Sequence, residues 1–226
     1  MNSVNSTSRT LGIAFLLQAV TSLTGGLILI LALIVPGNIS ASMLNIANHT
    51  WLMRANILAE AISALGVIFL GAILFVALRK QNEKMALVAL GCFIFETALG
   101  ATRIAAAFLL LRISEEYVKA GQPGYLETIG NLALGSMDFG LKLLMLPSCL
   151  GLILFYYLMY KSEIVPRLLS LWGLIAISVA LIGTLFAISG YEVPFVVYLP
   201  YAPFEFVIGV WILVKGINEQ GVERRA

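Results

Sequence analysis

Apolar residues run along this chain in long unbroken stretches, without the short alternations that mark half-buried soluble helices and strands. Six stretches reach the roughly 20 residues that a helix needs to cross a bilayer: approximately 10–35, 53–78, 85–111, 129–160, 168–189 and 201–217. The connections "RKQNEK" and "YKSEIVPR" are short, so the helices they join are expected to be antiparallel neighbours. Pro36, Pro123, Pro166 and Pro194 fall in connections, where they end helices, whereas Pro147 lies inside the fourth stretch and is expected to kink it. The first turns of that stretch, "LETIGNLALGSMDFG", are amphipathic and are expected to begin above the membrane surface. The pattern predicts an all-α integral membrane bundle of six transmembrane helices, one domain over residues 1–226.

Composition strengthens the assignment. The chain is 60% apolar and 12% charged, with a mean hydropathy of +0.97, against about 25% charged residues in soluble proteins. The lipid bilayer is therefore its first partner. A net charge of +2 spread along the chain offers no basic face for nucleic acid. Cys92 and Cys149 both lie in apolar stretches and read as buried free thiols. His49 is the sole histidine, too little for a zinc site, and it reads as a solvated residue of a connection. No HExxH, GxSxG, P-loop or GxGxxG sequence occurs. No metal and no cofactor is expected, and hydrolase and nucleotide-binding classes lose their support.

Charge in the flanks sets the orientation, because cytoplasmic connections carry the excess of Lys and Arg. One side would hold Arg9, Arg79, Lys80, Lys84, Lys161, Arg167, Lys215, Arg224 and Arg225, and the other only Arg54, Arg112 and Lys119. Both termini are expected in the cytoplasm and the protein in the plasma membrane. The first apolar run exceeds the 7–15 residues of a signal-peptide core, so it is expected to stay as a span. Trp51, Tyr117, Tyr125, Tyr191, Tyr198 and Tyr201 fall at outer ends and Tyr156, Tyr157, Tyr160 and Trp172 at inner ends, as aromatic belts do.

Six ionisable residues remain inside the spans: Glu60, Glu96, Arg103, Asp138, Lys142 and Glu205. Ionisable groups at that depth face a partner or a water-filled cavity. Glu96, Gly100, Arg103 and Ala107 share one helical face; so do Asn131, Gly135, Asp138, Lys142 and Cys149. Gln18, Asn56 and Tyr201 line the matching stripes of other spans and form the expected second layer of the site. Glu96 and Arg103 lie about 10 Å apart along their helix, too far for an easy pair. Arg103 is therefore expected to pair with Glu60, Glu205 or both, and Asp138 with Lys142 one turn on. Four acids against two bases leave two charges uncompensated, and at low dielectric a surplus acid is expected to be neutral. Glu96, nearest the midplane, is the first of these.

"KSEIVPRLLSLWGLIAISVALIGTL" and "YLPYAPFEFVIGVWILVKGI", with "LAEAISALGVIFLGAILFVALRKQNEKMALVALGCFIFETALG" before them, resemble the domain of unknown function 4386 family, multi-pass membrane proteins of bacteria and archaea. The likeness rests on Glu60, Glu96, Pro166, Arg167, Gly173, Pro200, Glu205 and Gly216. It implies a fold and no activity, and it suggests that the charged positions belong to one site. That family often places an Arg three residues before the third-span Glu. This chain has Phe93 there, which leaves Arg103 to supply the compensating charge.

Three function classes follow. The leading expectation is a site open to the outer side that binds a small-molecule or lipid ligand, for transport or sensing. Glu60, Arg103 and Glu205 would form its floor, Asp138 and Lys142 a wall, and Glu96 a deeper protonatable group. The second is a structural or partner-binding protein whose charges only fix helix packing. The third is an intramembrane enzyme using carboxylates for acid–base chemistry, for which the sequence offers no nucleophile with an adjacent base. The sequence does not encode a readable oligomeric state.

Overall fold

In the computed structural model, which describes residues 6–218, the chain is helical throughout its regular structure. The order is α1 (Ser6–Leu23), a π-helical turn (Thr24–Ile28), α2 (Leu29–Leu33), α3 (Ile39–Asn48), α4 (Thr50–Leu78), α5 (Glu83–Lys119), α6 (Gly124–Ser162), α7 (Arg167–Ile188), a short 3₁₀ turn (Phe195–Val197) and α8 (Tyr201–Lys215). Helices dominate because hydrocarbon offers no partner to a backbone N–H or C=O, so each segment must satisfy its own. Five helices among the described residues are long and apolar enough to cross a membrane: α4, α5, α6, α7 and the segment 195–215 that ends in α8. The stretch 10–35 is helical too, but the π turn at Thr24–Ile28 divides it.

Several boundaries differ from the sequence reading. α5 runs eight residues past its expected end, through "RISEEYVK" to Lys119, and α6 begins at Gly124. α5, with 37 residues, is about 55 Å long, well beyond the ~30 Å hydrocarbon thickness. The first connection contains α3, which hydropathy does not predict. Asn38 caps it by accepting a 2.9 Å hydrogen bond from the Ala41 N–H, and Ser42, Met43 and Ile46 are buried beneath it. Pro147 lies inside α6, which continues through it.

The chain forms two compact units. Among the described residues the first comprises 6–19, 65–97 and 144–218, and the second 20–64 and 98–143. The core of the first gathers Phe15, Leu74, Phe93, Phe155, Tyr156, Phe204 and Ile212 with their neighbours. Lipid tails are as apolar as leucine, so helix association there depends on close packing of small residues more than on the hydrophobic effect. Gly173 lies under the Phe204 ring, which also meets Tyr156 and Trp172 edge to face at 5.0 and 5.7 Å. The second unit is centred on Leu33, Met43, Ile46, Ala107, Leu110, Tyr117 and Met137. The Tyr117 hydroxyl donates to Glu127 at 2.5 Å and lies 2.7 Å from the Ser40 hydroxyl, which ties α3, α5 and α6 together.

Large apolar side chains such as Leu65 (68% exposed) and Leu132 (68%) face outward. Such exposure is unusual for a soluble surface and natural against lipid.

Candidate functional site

The second unit holds four of the six ionisable residues. Arg103 of α5 and Glu60 of α4 are both buried, and the guanidinium Nη1 pairs with the Glu60 carboxylate. Asn56, one turn before Glu60 on α4 and fully buried, donates its side-chain N–H to the same carboxylate oxygen at 3.1 Å. The expected stripe on α4 and the expected pairing of Arg103 with Glu60 are thus present.

Two glycines bring the backbones close enough for this pairing. A methyl group on Gly140 of α6 would come within 3.1 Å of the Arg103 Cβ and 3.3 Å of its Cα. A methyl group on Gly25, in the π turn, would come within 2.9 Å of the Ala59 Cβ and 3.3 Å of the Glu60 nitrogen. Sequence reasoning missed Gly140 entirely. π turns inside helices often accompany functional sites, and this one abuts the backbone of the acid that holds Arg103.

Hydrogen bonding at the pair is incomplete. The Arg103 Nε–H and the Asn56 Oδ1 are buried and have no hydrogen-bond partner among the described residues. One is a donor and the other an acceptor, on two side chains that meet at a single carboxylate.

Asp138 and Lys142 sit differently from expectation. Asp138 is exposed and Lys142 half-buried, and among the described residues neither forms an ion pair, so the expected i, i+4 pair between them is absent. Asp138 lies about 160° around α6 from Gly140, the residue against Arg103. The charges of Arg103 and Lys142 still reach it. The stripe Asn131, Gly135, Asp138 is exposed on this side of α6, beside outward-facing Leu132 and Phe139.

The first unit holds Glu96 and Glu205. Tyr201 of α8 donates to Glu205 one turn on at 2.7 Å, and the Tyr156 hydroxyl of α6 lies 3.3 Å from that of Tyr201. Glu96 lies within reach of the Glu205 charge, beside the Ser148 hydroxyl of α6. Its Oε2 is buried with no hydrogen-bond partner among the described residues. Gln18 of α1 is in this unit too, where a methyl group on Gly66 would meet its Oε1 at 2.9 Å. Cys92 and Cys149 are free thiols near Glu96. Glu205, expected as a second partner for Arg103, has Tyr201 as its partner. Tyr156, read from the sequence as an inner-belt aromatic, is a fully buried hydroxyl in this chain.

No three His, Cys, Asp or Glu side chains among the described residues are gathered closely enough to hold a metal ion. Two apolar grooves open elsewhere in the first unit. One of about 340 Å³ lies between the end of α7 and the 3₁₀ turn, around Phe186, Tyr191 and Val197. Another of about 410 Å³ lies along α8 at Phe206, Val210 and Trp211. None of the six intramembrane charged residues lines either groove.

A family model described as a domain of unknown function (DUF4386) matches residues 10–216, nearly the whole chain. No curated protein and no solved structure matches it.

Proposed function

We propose that the chain, which belongs to the DUF4386 family, is a six-span plasma-membrane protein that binds a small or amphipathic ligand at Arg103, for transport or sensing. Both termini lie in the cytoplasm in this reading. Five candidate spans support the topology, and in this reading the divided helical run from Ser6 to Leu33 is the sixth. Flanking charge supports the orientation.

The observation that carries ligand binding is the unsatisfied chemistry of the pair. A charge pair serving only helix register is expected to have its buried donors and acceptors filled. Here Arg103 Nε–H and Asn56 Oδ1 are not. The π turn packed on Glu60 is the element that opens to admit the ligand, because shifting its extra residue alters the contact at Gly25 without melting the helix. A second reading, that the pair only locks α4 to α5, is favoured by the double occupation of the Glu60 carboxylate by Arg103 and Asn56.

Two experiments test the proposal. Single cysteines replacing Lys80 and Lys161 should be shielded from an impermeant outside reagent in intact cells, while one replacing Lys119 should react. The opposite labelling would turn the site toward the cytoplasm. Native mass spectrometry of protein extracted in mild detergent should show a bound molecule that Arg103→Lys loses while remaining folded, since a point charge cannot reproduce the guanidinium fork. An adduct of equal occupancy in both proteins would place the ligand elsewhere.

A further inference from the structure

The two acids of the first unit are not explained by the Arg103 site. A buried carboxylate is ordinarily compensated by a cation or by several donors. Every Lys and Arg described in this unit is exposed: Arg9, Arg79, Lys80, Lys84, Lys161, Arg167 and Lys215, all in turns or within the first or last turns of helices. None of these described cations of the unit pairs with Glu96 or Glu205. Glu205 is 10 residues from the end of α8 and Glu96 is 13 from the start of α5, about 15 and 20 Å along their helices. Glu205 is also only four residues from the start of α8, but it is central in the candidate span 195–215, and Glu96 is more than three turns inside α5.

The polar groups facing them are hydroxyls, thiols and each other. Ser148 hydrogen-bonds Glu96, and Cys92, Cys149 and Glu205 lie within electrostatic reach of it. Tyr201 and, behind it, Tyr156 serve Glu205. Tyr201 uses its hydroxyl hydrogen on Glu205, so the hydrogen between the two phenols must come from Tyr156. That gives a directional chain, Tyr156 to Tyr201 to Glu205, ending on a carboxyl group within electrostatic reach of a second one. The outer oxygen of that second carboxyl, Glu96 Oε2, is enclosed and unpartnered.

We infer that Glu96 and Glu205 form one intramembrane proton-binding site, in which the two carboxyl groups titrate together and Tyr201 and Tyr156 hold the hydrogen bonds of Glu205. The ligand is a proton. Two carboxylates close together without a cation cannot both be ionised at low cost, so at least one proton resides on the pair. Tyr201 is a positioning residue: its donated hydrogen bond holds the Glu205 carboxyl group. The arrangement stands independently of any ligand at Arg103.

Infrared titration of the purified full chain in nanodiscs tests this through the carbonyl stretch of protonated carboxyl groups. Wild type, Glu96→Gln, Glu205→Gln and Tyr201→Phe are compared, each in sodium and in choline buffer. The wild type should release two protons in steps separated by about one pH unit or more beyond the gap between the two single-variant midpoints. Added to Glu96→Gln, Tyr201→Phe should move the band of Glu205, and added to Glu205→Gln it should leave the band of Glu96 in place, a signature that a merely packed tyrosine would not give. Wild-type steps equal to the two single-variant midpoints would make the acids independent and overturn the shared site. Absence of a protonated band at neutral pH would do the same. Midpoints that move when sodium replaces choline would reassign the pair to an alkali cation and overturn a proton-only site.

Discussion

Arg103→Leu is expected to lower stability by about 3–5 kcal/mol, the usual cost of removing one partner from a buried ion pair. The loss follows from what remains. Glu60 is buried with one hydrogen bond from Asn56 and no cation, and Gly140 leaves no side chain of its own to fill the space vacated beside α5. Glu60→Leu alone should cost a similar amount, because it strands the guanidinium. The double replacement Glu60→Leu/Arg103→Leu should recover most of either loss, since two apolar groups of similar volume leave nothing buried and unpaired except Asn56. Chemical or thermal unfolding in detergent measures all three. An unchanged midpoint for Arg103→Leu would mean that the pair contributes nothing to the fold, and additive losses in the double variant would mean that the two side chains act separately.

The second large effect belongs to the first unit, where α1 and α8 approach closely. A methyl group on Gly12 would come within 2.6 Å of the Leu213 Cγ, 2.9 Å of the Leu213 nitrogen and 3.0 Å of the Gly209 oxygen. The side-chain atom can turn away, but the two main-chain atoms cannot. Gly12→Val must therefore push α8 outward, at about 1–3 kcal/mol or more for overpacking. Gly91 is the control, with nothing within 4 Å of its added methyl group. Gly91→Ala should be neutral or stabilising by up to about 1 kcal/mol through helix propensity. Equal melting temperatures for Gly12→Val and the wild type would show that α1 does not pack on α8 in this way.

The sequence made the helical membrane class legible because hydrocarbon imposes length and apolarity on every span, and both are written along the chain. It misplaced the ends of α5 and α6 because hydropathy marks where a helix leaves the apolar layer, not where its hydrogen bonds stop. Glu115, Glu116 and Lys119 are polar yet still helical. α3 was hidden for the same reason, its Asn45 and Asn48 masking a short buried face.

Helical spacing correctly placed Asn56 with Glu60 and Tyr201 with Glu205, each one turn apart. Glu96 and Arg103 share one face of α5 and fall in different compact units. The spacing of Asp138 and Lys142 allowed a pair that the side chains do not form. A periodicity also says which residues are neighbours, not which side of α6 meets Arg103. Gly140 settles that, and nothing in the sequence distinguishes it from Gly135.

Electron cryomicroscopy of the protein in a lipid nanodisc tests the ligand site most directly. The account predicts density against Arg103 Nε and Asn56 Oδ1 that protein atoms and single waters do not fill, lost in Arg103→Lys. Those two atoms bonded to each other, or to ordered water alone, in the wild-type map would contradict it.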